Sequence, residues 1–369
     1  MLRITTREDA EDLVLGATIL GAGGGGDPKE GLRMMEAALR ASGGVKVIDV
    51  GELPSDVVVV SAYYVGTVAP TAAARKRVVI EDPVGEAFSE MEKLLGRRIG
   101  GLVATEIGGG NTPVVFEIAA KTGLPVVDGD LLGRAAPELH QCTVHIYGYP
   151  MYPSVIVSET GNVVIVRKYS DIDDYESLAR FVSVLAGRHA AVVDTPLDKT
   201  ALERVLVRGT IALSLRLGRA VREARERGED PVKTIARVLG GWVIFRGVVE
   251  SYRWRDEGGF LVGESTVKGV HEWEGRRLRT WIKNEHIMSW IDGEPAVMPP
   301  DLVTFVRPDG EPVLNSEMKE GDEVYVIAAP APRIWRTERG LELFGPRRFG
   351  FNYDYVPVEE LVEKLGLHA

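Results

Sequence analysis

Two glycine-rich segments, each followed directly by a predicted helix, constrain the fold of this chain most strongly. The first, residues 21–28, reads GAGGGGDP, and the second, residues 106–113, reads EIGGGNTP. Asp27 and Asn111 or Thr112 can cap a first helical turn, and proline suits the position that follows. Such glycine runs indicate positive φ angles or close backbone approach. Their N–H groups suit an anion, a carbonyl oxygen or an oxyanion, while tight turns against a sheet are the structural alternative.

Length and composition indicate a globular protein with more than one domain. A chain of 369 residues exceeds one ordinary core, since a domain averages about 150 residues. The net charge of −10 argues against a nucleic acid or an anionic membrane as partner. No apolar run approaches the ~20 residues needed to cross a bilayer, and the N-terminus lacks the apolar stretch of a signal peptide. We therefore expect a cytoplasmic protein. The single cysteine, Cys142, excludes an internal disulfide and a multi-cysteine metal site.

Amide and lysine usage predicts a protein of thermophilic character. The chain contains one glutamine and five asparagines, and it has 32 arginines against 12 lysines. Depletion of thermolabile amides recurs in thermophile proteins, and arginine enrichment appears in some of their families. We expect a melting temperature above about 80 °C in a calorimetric scan. A cooperative transition near about 55 °C, where mesophile domains commonly melt, would contradict this expectation.

Strands and helices alternate along the first part of the chain. Val57–Ala62 is a continuous apolar run, which indicates a strand buried on both faces, as in a parallel sheet covered by helices. This alternation predicts an α/β domain with a mixed or parallel sheet over residues 1–168. The further predicted strands are 45–50, 101–107, 124–128 and a hairpin at 155–168; the helices begin at Thr6, Pro28, Gly85 and Pro113.

The pattern changes after Ser170. Residues 175–187 and 197–227 have the apolar spacing of helices. From Gly241 onward, short strand-like segments are separated by glycine, proline and aspartate, which is typical of a β-rich domain. We therefore predict a second domain over 169–369, a helical segment followed by a β-rich C-terminal part, packed against the first without a flexible linker. Its predicted strands include 242–248, 278–282, 302–307 and 323–327.

Several charged residues stand where α/β domains usually bind ligands. Glu106 and Asp128 end predicted strands, and ligands collect beyond the carboxyl ends of such strands. Asp128 and Asp130 lie two residues apart and can face one side, where paired carboxylates divide acid and base roles or share a cation. Capping of the segment 131–135 and a divalent metal ion held with a histidine remain alternatives. Arg134 supplies a nearby cation, or an ordinary ion pair with Glu138.

Short sequence motifs in both halves of the chain resemble those of one family. The motifs that carry the resemblance keep their order over nearly the full length. In the first half they are GAGGGGDP (21–28), EIGG (106–109), LPVVDGD (124–130), GR (133–134), PEL (137–139) and YG (147–148). In the second half they are GGF (258–260), NE (284–285), PDL (300–302), GD (321–322), GP (345–346) and FG (349–350). The chain thus resembles the S-methyl thiohydantoin desulfurase family.

The resemblance implies an α/β N-terminal domain, a β-rich C-terminal domain and a hydrolase-type reaction on a small cyclic ring. In that reaction the C–S carbon of an S-methylated thiohydantoin is hydrolysed to a hydantoin and methanethiol. A general base, an anion-stabilising pocket and a proton donor suffice for this chemistry. We predict that catalysis involves Glu106, Asp128, Asp130 and Arg134. The predicted substrate-binding residues are Gly24, Gly25, Gly26, Asp27, Gly109, Gly110, Asn111, Glu138, Tyr147, Asn284 and Glu285.

The same resemblance keeps a non-catalytic alternative open. Family members often accompany hydantoinase/oxoprolinase-like proteins, so the chain is alternatively a subunit or ligand-binding partner of such an enzyme. We expect a homo-oligomer. No cofactor is predicted with certainty, and a divalent metal ion stays an open alternative. Nucleotide binding is the weakest hypothesis, because neither glycine run has a Walker lysine or a GxGxxG spacing after a strand. Cys142, between His140 and His145, is read as an ordinary buried thiol.

Overall fold

The computed structural model describes residues 2–66, 77–187 and 189–367, which form two sheets surrounded by helices. The strands are β1 (Leu2–Ile4), β2 (Val45–Ile48), β3 (Val58–Gly66), β4 (Ile99–Ala104), β5 (Val126–Asp130), β6 (Ser154–Val157), β7 (Val163–Val166), β8 (His189–Asp198), β9 (Val207–Arg208), β10 (Trp242–Glu257), β11 (Phe260–Gly269), β12 (Arg277–Lys283), β13 (Glu285–Ile291), β14 (Glu294–Val297), β15 (Leu302–Val306) and β16 (Glu323–Ala329). The helices are α1 (Arg7–Leu20), α2 (Pro28–Ser42), α3 (Pro83–Leu95), α4 (Thr112–Thr122), α5 (Ile172–Ala186), α6 (Lys199–Val205), α7 (Thr210–Arg227), α8 (Pro231–Leu239), α9 (Glu338–Phe344) and α10 (Val358–Lys364).

The first sheet, sheet A, is mixed, and helices cover it on both faces. Among the described residues its strand order is β1-β2-β5-β4-β3-β8-β6-β7, with β9 paired to β5. The central strands β2, β5, β4 and β3 run parallel, whereas β8 lies antiparallel to β3. Apolar side chains on the two faces belong to two separate core clusters. This two-sided burial explains the continuous apolar sequence of the central strands.

Local capping sets the helix starts on either side of the first glycine run. Thr6 accepts a hydrogen bond from the Asp9 N–H, and the Asp9 side chain accepts one from the Thr6 N–H, which completes a capping box at the start of α1. Asp27 accepts a hydrogen bond from the Lys29 N–H at 2.8 Å, and Pro28 occupies the first turn of α2. The predicted cap of the first glycine-rich loop is therefore confirmed.

The second sheet, sheet B, is antiparallel throughout the described residues. Its seven strands follow the order β14-β13-β12-β11-β10-β16-β15. They enclose a third apolar cluster that includes Phe245, Phe305 and Trp273. The chain therefore combines an α/β domain with a mixed sheet and a β-rich C-terminal part, which confirms the predicted fold class.

Sheet A includes two strands, β8 and β9, that follow residue 168, the predicted end of the first domain. The helix predicted over residues 197–227 is wrong, because Leu197 pairs with Val59 inside β8 and the chain then forms α6, β9 and α7. Asp198 caps α6 by accepting a hydrogen bond from the Ala201 N–H. Gly209 has a φ of +77°, a left-handed conformation that separates β9 from α7.

Two buried arginines join the elements around sheet A to sheet B and the loop segments beside it. Arg134 donates hydrogen bonds to the carbonyl oxygens of Asp301 at 2.9 Å and His286 at 2.8 Å. Arg180 donates to the Gly259 carbonyl oxygen at 2.8 Å, at the turn between β10 and β11. These contacts hold the second sheet against the carboxyl-end side of sheet A. No helix in the described ranges is long and apolar enough to cross a bilayer.

Candidate active site

A cavity of about 1050 Å³ lies between the two domains. Side chains and backbone from both sheets line it, including the first glycine loop, the segment after β4 and the junction of β12 and β13. Most of the residues predicted to bind or transform a substrate meet here. They are Gly24, Gly25, Gly26, Asp27, Glu106, Gly110, Asn111, Glu138, Asn284 and Glu285. The C-terminal part therefore contributes to the lining.

The two glycine loops pack backbone against backbone beside this cavity. A Cβ atom added at Gly25 would lie 2.6 Å from the Gly108 Cα, and one at Gly26 would lie 2.9 Å from the Gly110 Cα. The Gly25 carbonyl oxygen accepts hydrogen bonds from the N–H groups of Gly110 and Asn111, at 3.0 and 3.1 Å. The φ angles at these two glycines are left-handed, +74° at Gly25 and +86° at Gly26. Only glycine permits this conformation together with such close contact.

Hydrogen-bond donors remain available at the start of α2. Within the described part of the chain, the N–H groups of Gly26 and Asp27 donate to no protein acceptor. Both residues line the cavity, and the positive end of the α2 dipole lies behind them. This end of the cavity therefore suits a carbonyl oxygen or a developing negative charge.

Glu106 follows β4 and is the carboxylate that sheet A contributes to the cavity. It accepts hydrogen bonds from Asn111 Nδ2 at 2.7 Å and from the Ala136 N–H at 3.2 Å. Burial raises the pKa of Glu106 to about 7, although those donors and the charges of Arg134 and Arg180 act to lower it. A carboxyl group with this pKa is half ionised near neutral pH, which suits a general base.

Asn111 positions Glu106 and does not cap α4. The predicted cap at this residue is wrong, because its side chain makes no hydrogen bond to the helix. Its Oδ1 accepts from the Tyr64 N–H at 3.1 Å, which leaves Nδ2 to donate to Glu106. The two partners fix the orientation of the amide. Thr112 accepts instead from the Gly108 N–H at 3.0 Å, within the loop.

Glu285 opens β13 and is the carboxyl group that sheet B contributes. Its side chain accepts a hydrogen bond from the Gly25 N–H at 3.2 Å through Oε1. The residue is 3 % exposed, and within the described residues its Oε2 has no hydrogen-bond partner. Burial, assisted by the negative charge of Glu106, raises the pKa of Glu285 well above its usual range. Glu285 therefore retains its proton more strongly than Glu106 does.

The neighbouring residues complete the wall that sheet B provides. Asn284 has a φ of +54°, and its Oδ1 accepts from the Leu261 N–H at 2.9 Å. That contact fixes the amide and leaves Nδ2 as the donor on the cavity side. Glu138, from sheet A's domain, forms an ion pair with Lys283 at 2.7 Å. The alternative pairing of Glu138 with Arg134 is wrong, since Arg134 contacts backbone carbonyl oxygens.

The two predicted catalytic aspartates lie outside the residues that line the cavity. Asp128 Oδ1 accepts a hydrogen bond from the Ala212 N–H at 2.9 Å, in the first turn of α7. Asp130 accepts from the N–H groups of Leu132 and Gly133, at 3.0 and 2.7 Å, and from Thr210 Oγ1 at 2.9 Å. Burial raises the pKa of Asp130 to about 8. Their contacts are those of capping residues, and a direct catalytic role for either stays a prediction.

Three further predicted residues also lie away from the cavity lining. Arg134 is 2 % exposed and donates to carbonyl oxygens of both domains. Gly109 lies against α1, where an added Cβ atom would come within 2.3 Å of Thr18 Oγ1. Tyr147 is 47 % exposed. The charge of Arg134 nevertheless acts on Glu106 and Glu285, so it contributes to the site's electrostatics.

The surroundings of Cys142, His140 and His145 disfavour a nucleophilic thiolate and charged imidazoles. Burial raises the pKa of the Cys142 thiol, which opposes thiolate formation. Burial lowers the pKa values of His140 and His145 to about 4 each. No three His, Cys, Asp or Glu side chains in the described ranges are grouped as metal ligands, Asp128 and Asp130 included.

Arg180 lines the cavity and was not found by sequence reasoning. It pairs with Glu176 at 2.6 Å, donates to the Pro137 carbonyl oxygen at 2.7 Å, and its guanidinium lies 3.5 Å from the centre of the Phe260 ring. In the sequence, Glu176 and Arg180 have the i, i+4 spacing of an ordinary surface ion pair. Nothing local distinguishes such a pair from one that seals the edge of a cavity.

We predict that Gly24→Ala displaces Glu285. The new Cβ atom would lie 2.0 Å from Glu285 Oε1 and 2.7 Å from its Cδ, while the φ angle at Gly24 is not left-handed. We expect a loss of about 1–3 kcal/mol in the free energy of unfolding, measured by denaturant titration, together with loss of activity. The matched control is Gly51→Ala at an exposed position, where the new Cβ atom would meet only the exposed Asp49 side chain, at 3.0 Å from its Oδ1, and both properties should persist. An unchanged Gly24→Ala protein would contradict the close contact with Glu285.

Comparisons with known proteins add a family and a fold. The family model described as "S-Me-THD-like, N-terminal domain" matches residues 8–168, and the one described as "S-Me-THD-like, C-terminal domain" matches residues 170–358. A crystal structure of a protein from Chromobacterium violaceum is similar over 97% of this chain and 100% of its own, with 23% identity and a TM-score of 0.79. At that identity the likeness shows the fold alone. No curated protein matches the chain.

Proposed function

The chain belongs to the S-Me-THD-like family, that of S-methyl thiohydantoin desulfurase, and from that premise we propose a hydrolase that cleaves the C–S bond of an S-methylated thiohydantoin-type ring. Water replaces the methylthio group at the ring carbon, and the products are a hydantoin-type ring and methanethiol. The observation that carries the proposal is that two carboxyl groups of the cavity lining, Glu106 and Glu285, are buried and have raised pKa values.

The surroundings of Glu106 support its role as the base that activates water. Its pKa of about 7 leaves a large carboxylate fraction at neutral pH, and Asn111 holds the carboxylate in one orientation. A positioned base of matched pKa contributes typically 10²–10⁴-fold to a rate. The water would approach the ring carbon from the Glu106 side of the cavity.

The first glycine loop supports binding of the ring's polar edge. Gly26 and Asp27 line the cavity, and their N–H groups donate to no protein acceptor in the described chain, so they are the donors that we assign to the ring carbonyl oxygen. Asn284 Nδ2 offers a further donor from the part of the lining that sheet B provides. A cavity of about 1050 Å³ exceeds the size of a five-membered ring, so it also has room for substituents on the ring.

A turnover screen tests the proposal. Wild-type protein is incubated with S-methyl thiohydantoins, thiohydantoins, hydantoins and 5-oxoproline, with and without EDTA and added zinc. We expect methanethiol release from the S-methylated rings, abolished in Glu106→Gln and retained in Glu203→Gln, which removes the same charge from an exposed helix position. Ring opening without methanethiol would shift the activity to C–N hydrolysis. Silence from the folded protein across the panel would contradict catalysis and favour a binding partner of a hydantoinase-like enzyme.

A further inference from the structure

We propose that Glu285 is the catalytic acid of this site and gives its proton to the ring nitrogen as water adds to the ring carbon. This inference rests on the proposed hydrolysis and assigns a proton donor to it. The donor comes from sheet B, whereas the base Glu106 comes from sheet A. The reacting centre is therefore assembled only where the two domains meet.

The two oxygens of Glu285 have different surroundings. Oε1 accepts the Gly25 N–H at 3.2 Å, so that oxygen is already engaged by the protein. Oε2 is buried in the cavity lining and has no partner in the described part of the chain. A buried polar atom without a partner costs free energy, and the usual resolution is a ligand or a water molecule at that position. Oε2 is thus the atom of Glu285 that no described protein group satisfies, and a ring seated against it is the partner that we assign to it.

The immediate contacts hold Glu285 in one place. Gly24 has no Cβ, and any larger residue there would overlap the Glu285 carboxyl group. The adjoining His286 N–H donates to the Ala22 carbonyl oxygen at 2.8 Å, which ties the start of β13 to the first glycine loop. A donor fixed by the backbone on both sides keeps its orientation when the substrate binds, as acid catalysis requires.

The surroundings of the two carboxyl groups determine which of them carries the proton. Glu106 accepts two hydrogen bonds, from Asn111 and Ala136, and both stabilise its ionised form. Glu285 accepts one and is nearly inaccessible to solvent. Arg134 and Arg180 act on both groups and favour ionisation of each. A nearby pair of carboxyl groups therefore carries one proton, which resides on Glu285.

The proposed cycle returns both groups to their starting states. Glu106 takes a proton from water as the oxygen–carbon bond forms, and the ring C=N electron pair takes the proton of Glu285. The C–S bond then breaks, and the protonated Glu106 gives its proton to the departing methanethiolate. The Glu285 carboxylate takes the hydroxyl proton as the new C=O bond forms. One water is consumed and one methanethiol is released, with no change in oxidation state.

Infrared spectroscopy of the protein without substrate tests the protonation state directly. At pH 8 we expect part of the protonated-carboxyl C=O absorption of wild type to be lost in Glu285→Gln and none of it to be lost in Glu106→Gln. Equal absorption in wild type and Glu285→Gln, or no such absorption in wild type, overturns the assignment. Asp130 also retains a proton near this pH, so the difference between wild type and Glu285→Gln is the quantity compared. Because no substrate is present, this result is independent of the proposed reaction.

Kinetics then separate an acid from a residue that only shapes the site. For Glu285→Gln we expect kcat to fall about 10²–10⁴-fold with KM changed far less. The wild-type rate should decline at alkaline pH, and the variant should lack that decline.

A substrate that is already alkylated and cationic at the ring nitrogen needs no proton there. Its turnover should therefore be insensitive to Glu285→Gln but still lost in Glu106→Gln. Equal losses of both substrates in Glu285→Gln, or an alkaline decline that persists, would overturn the role. Failure of wild type to turn over any ring would instead contradict the proposed function.

Discussion

Glu106→Gln is expected to lower kcat/KM for methanethiol release by about 10²–10⁴-fold, the usual contribution of a positioned general base. The substitution keeps the size of the side chain and an oxygen that can accept from Asn111 Nδ2. It removes the negative charge and the ability to take a proton from water. Glutamine leaves one of the two present donors, Asn111 Nδ2 or the Ala136 N–H, facing its NH2 group, so the melting temperature should fall modestly while the protein stays folded.

The pH dependence gives the same prediction a second readout. A base acts in its ionised form, so wild-type kcat/KM should fall as pH drops through about 7, the pKa of Glu106. In Asn111→Ala the hydrogen bond that lowers this pKa is lost, and the acid limb should move to higher pH. Full activity of Glu106→Gln, or an acid limb that stays in place in Asn111→Ala, would contradict the role of this carboxylate.

Arg134→Met is expected to lower the free energy of unfolding by about 3–5 kcal/mol, the cost of removing one partner from a buried charged network. The guanidinium is 2 % exposed and donates to the carbonyl oxygens of Ala135, Asp301 and His286. Methionine fills similar space but donates to none of the three oxygens. It also removes a positive charge that favours ionisation of Glu106 and Glu285.

Urea unfolding of wild type and variant measures this cost. Arg339→Met provides the control, because Arg339 is exposed and pairs with Glu342 only three residues away. An exposed pair of this kind is worth at most about 1 kcal/mol, so the control should remain within that of wild type. If Arg134→Met were as stable as the control, Arg134 would not be the buried link between the domains.

The local features of the site were predictable, and the pairing of its two domains was not. The glycine loops, the Asp27 cap and the strand that leads to Glu106 depend on residues close in sequence. Glu106 and Glu285 are brought together only by the packing of sheet A against sheet B. The sequence analysis places Glu285 among the substrate-binding residues, which indicates a ligand contact but not a second carboxyl group beside Glu106.

A position at the end of a strand does not by itself predict that a residue lines the cavity. Asp128 and Asp130 stand at the carboxyl end of β5, but their hydrogen bonds run to α7 and to the loop after the strand. The spacing of two residues predicts a shared side and does not specify what lies on that side. Asn111 shows the opposite case: its position suggests a helix cap, whereas tertiary contacts direct it to Glu106.

Long-range pairing explains the main error in secondary structure. β8 is inserted antiparallel beside β3, more than a hundred residues earlier in the chain, and this pairing leaves no signal at short spacing. Its last residues, Leu197 and Asp198, adjoin a stretch of good helix formers, which extended the predicted helix backward. Local propensity is a weak guide wherever distant strands compete for the same residues.

The central claim is that water replaces the methylthio group within the cavity between the domains. Turnover of an S-methyl thiohydantoin in ¹⁸O-water, followed by mass spectrometry of the ring and measurement of methanethiol, tests it most directly. We predict one ¹⁸O atom in the new carbonyl group for each methanethiol released, with both products lost in Glu106→Gln. Methanethiol without label in the ring, or labelled product at an undiminished rate in Glu106→Gln, would contradict the account.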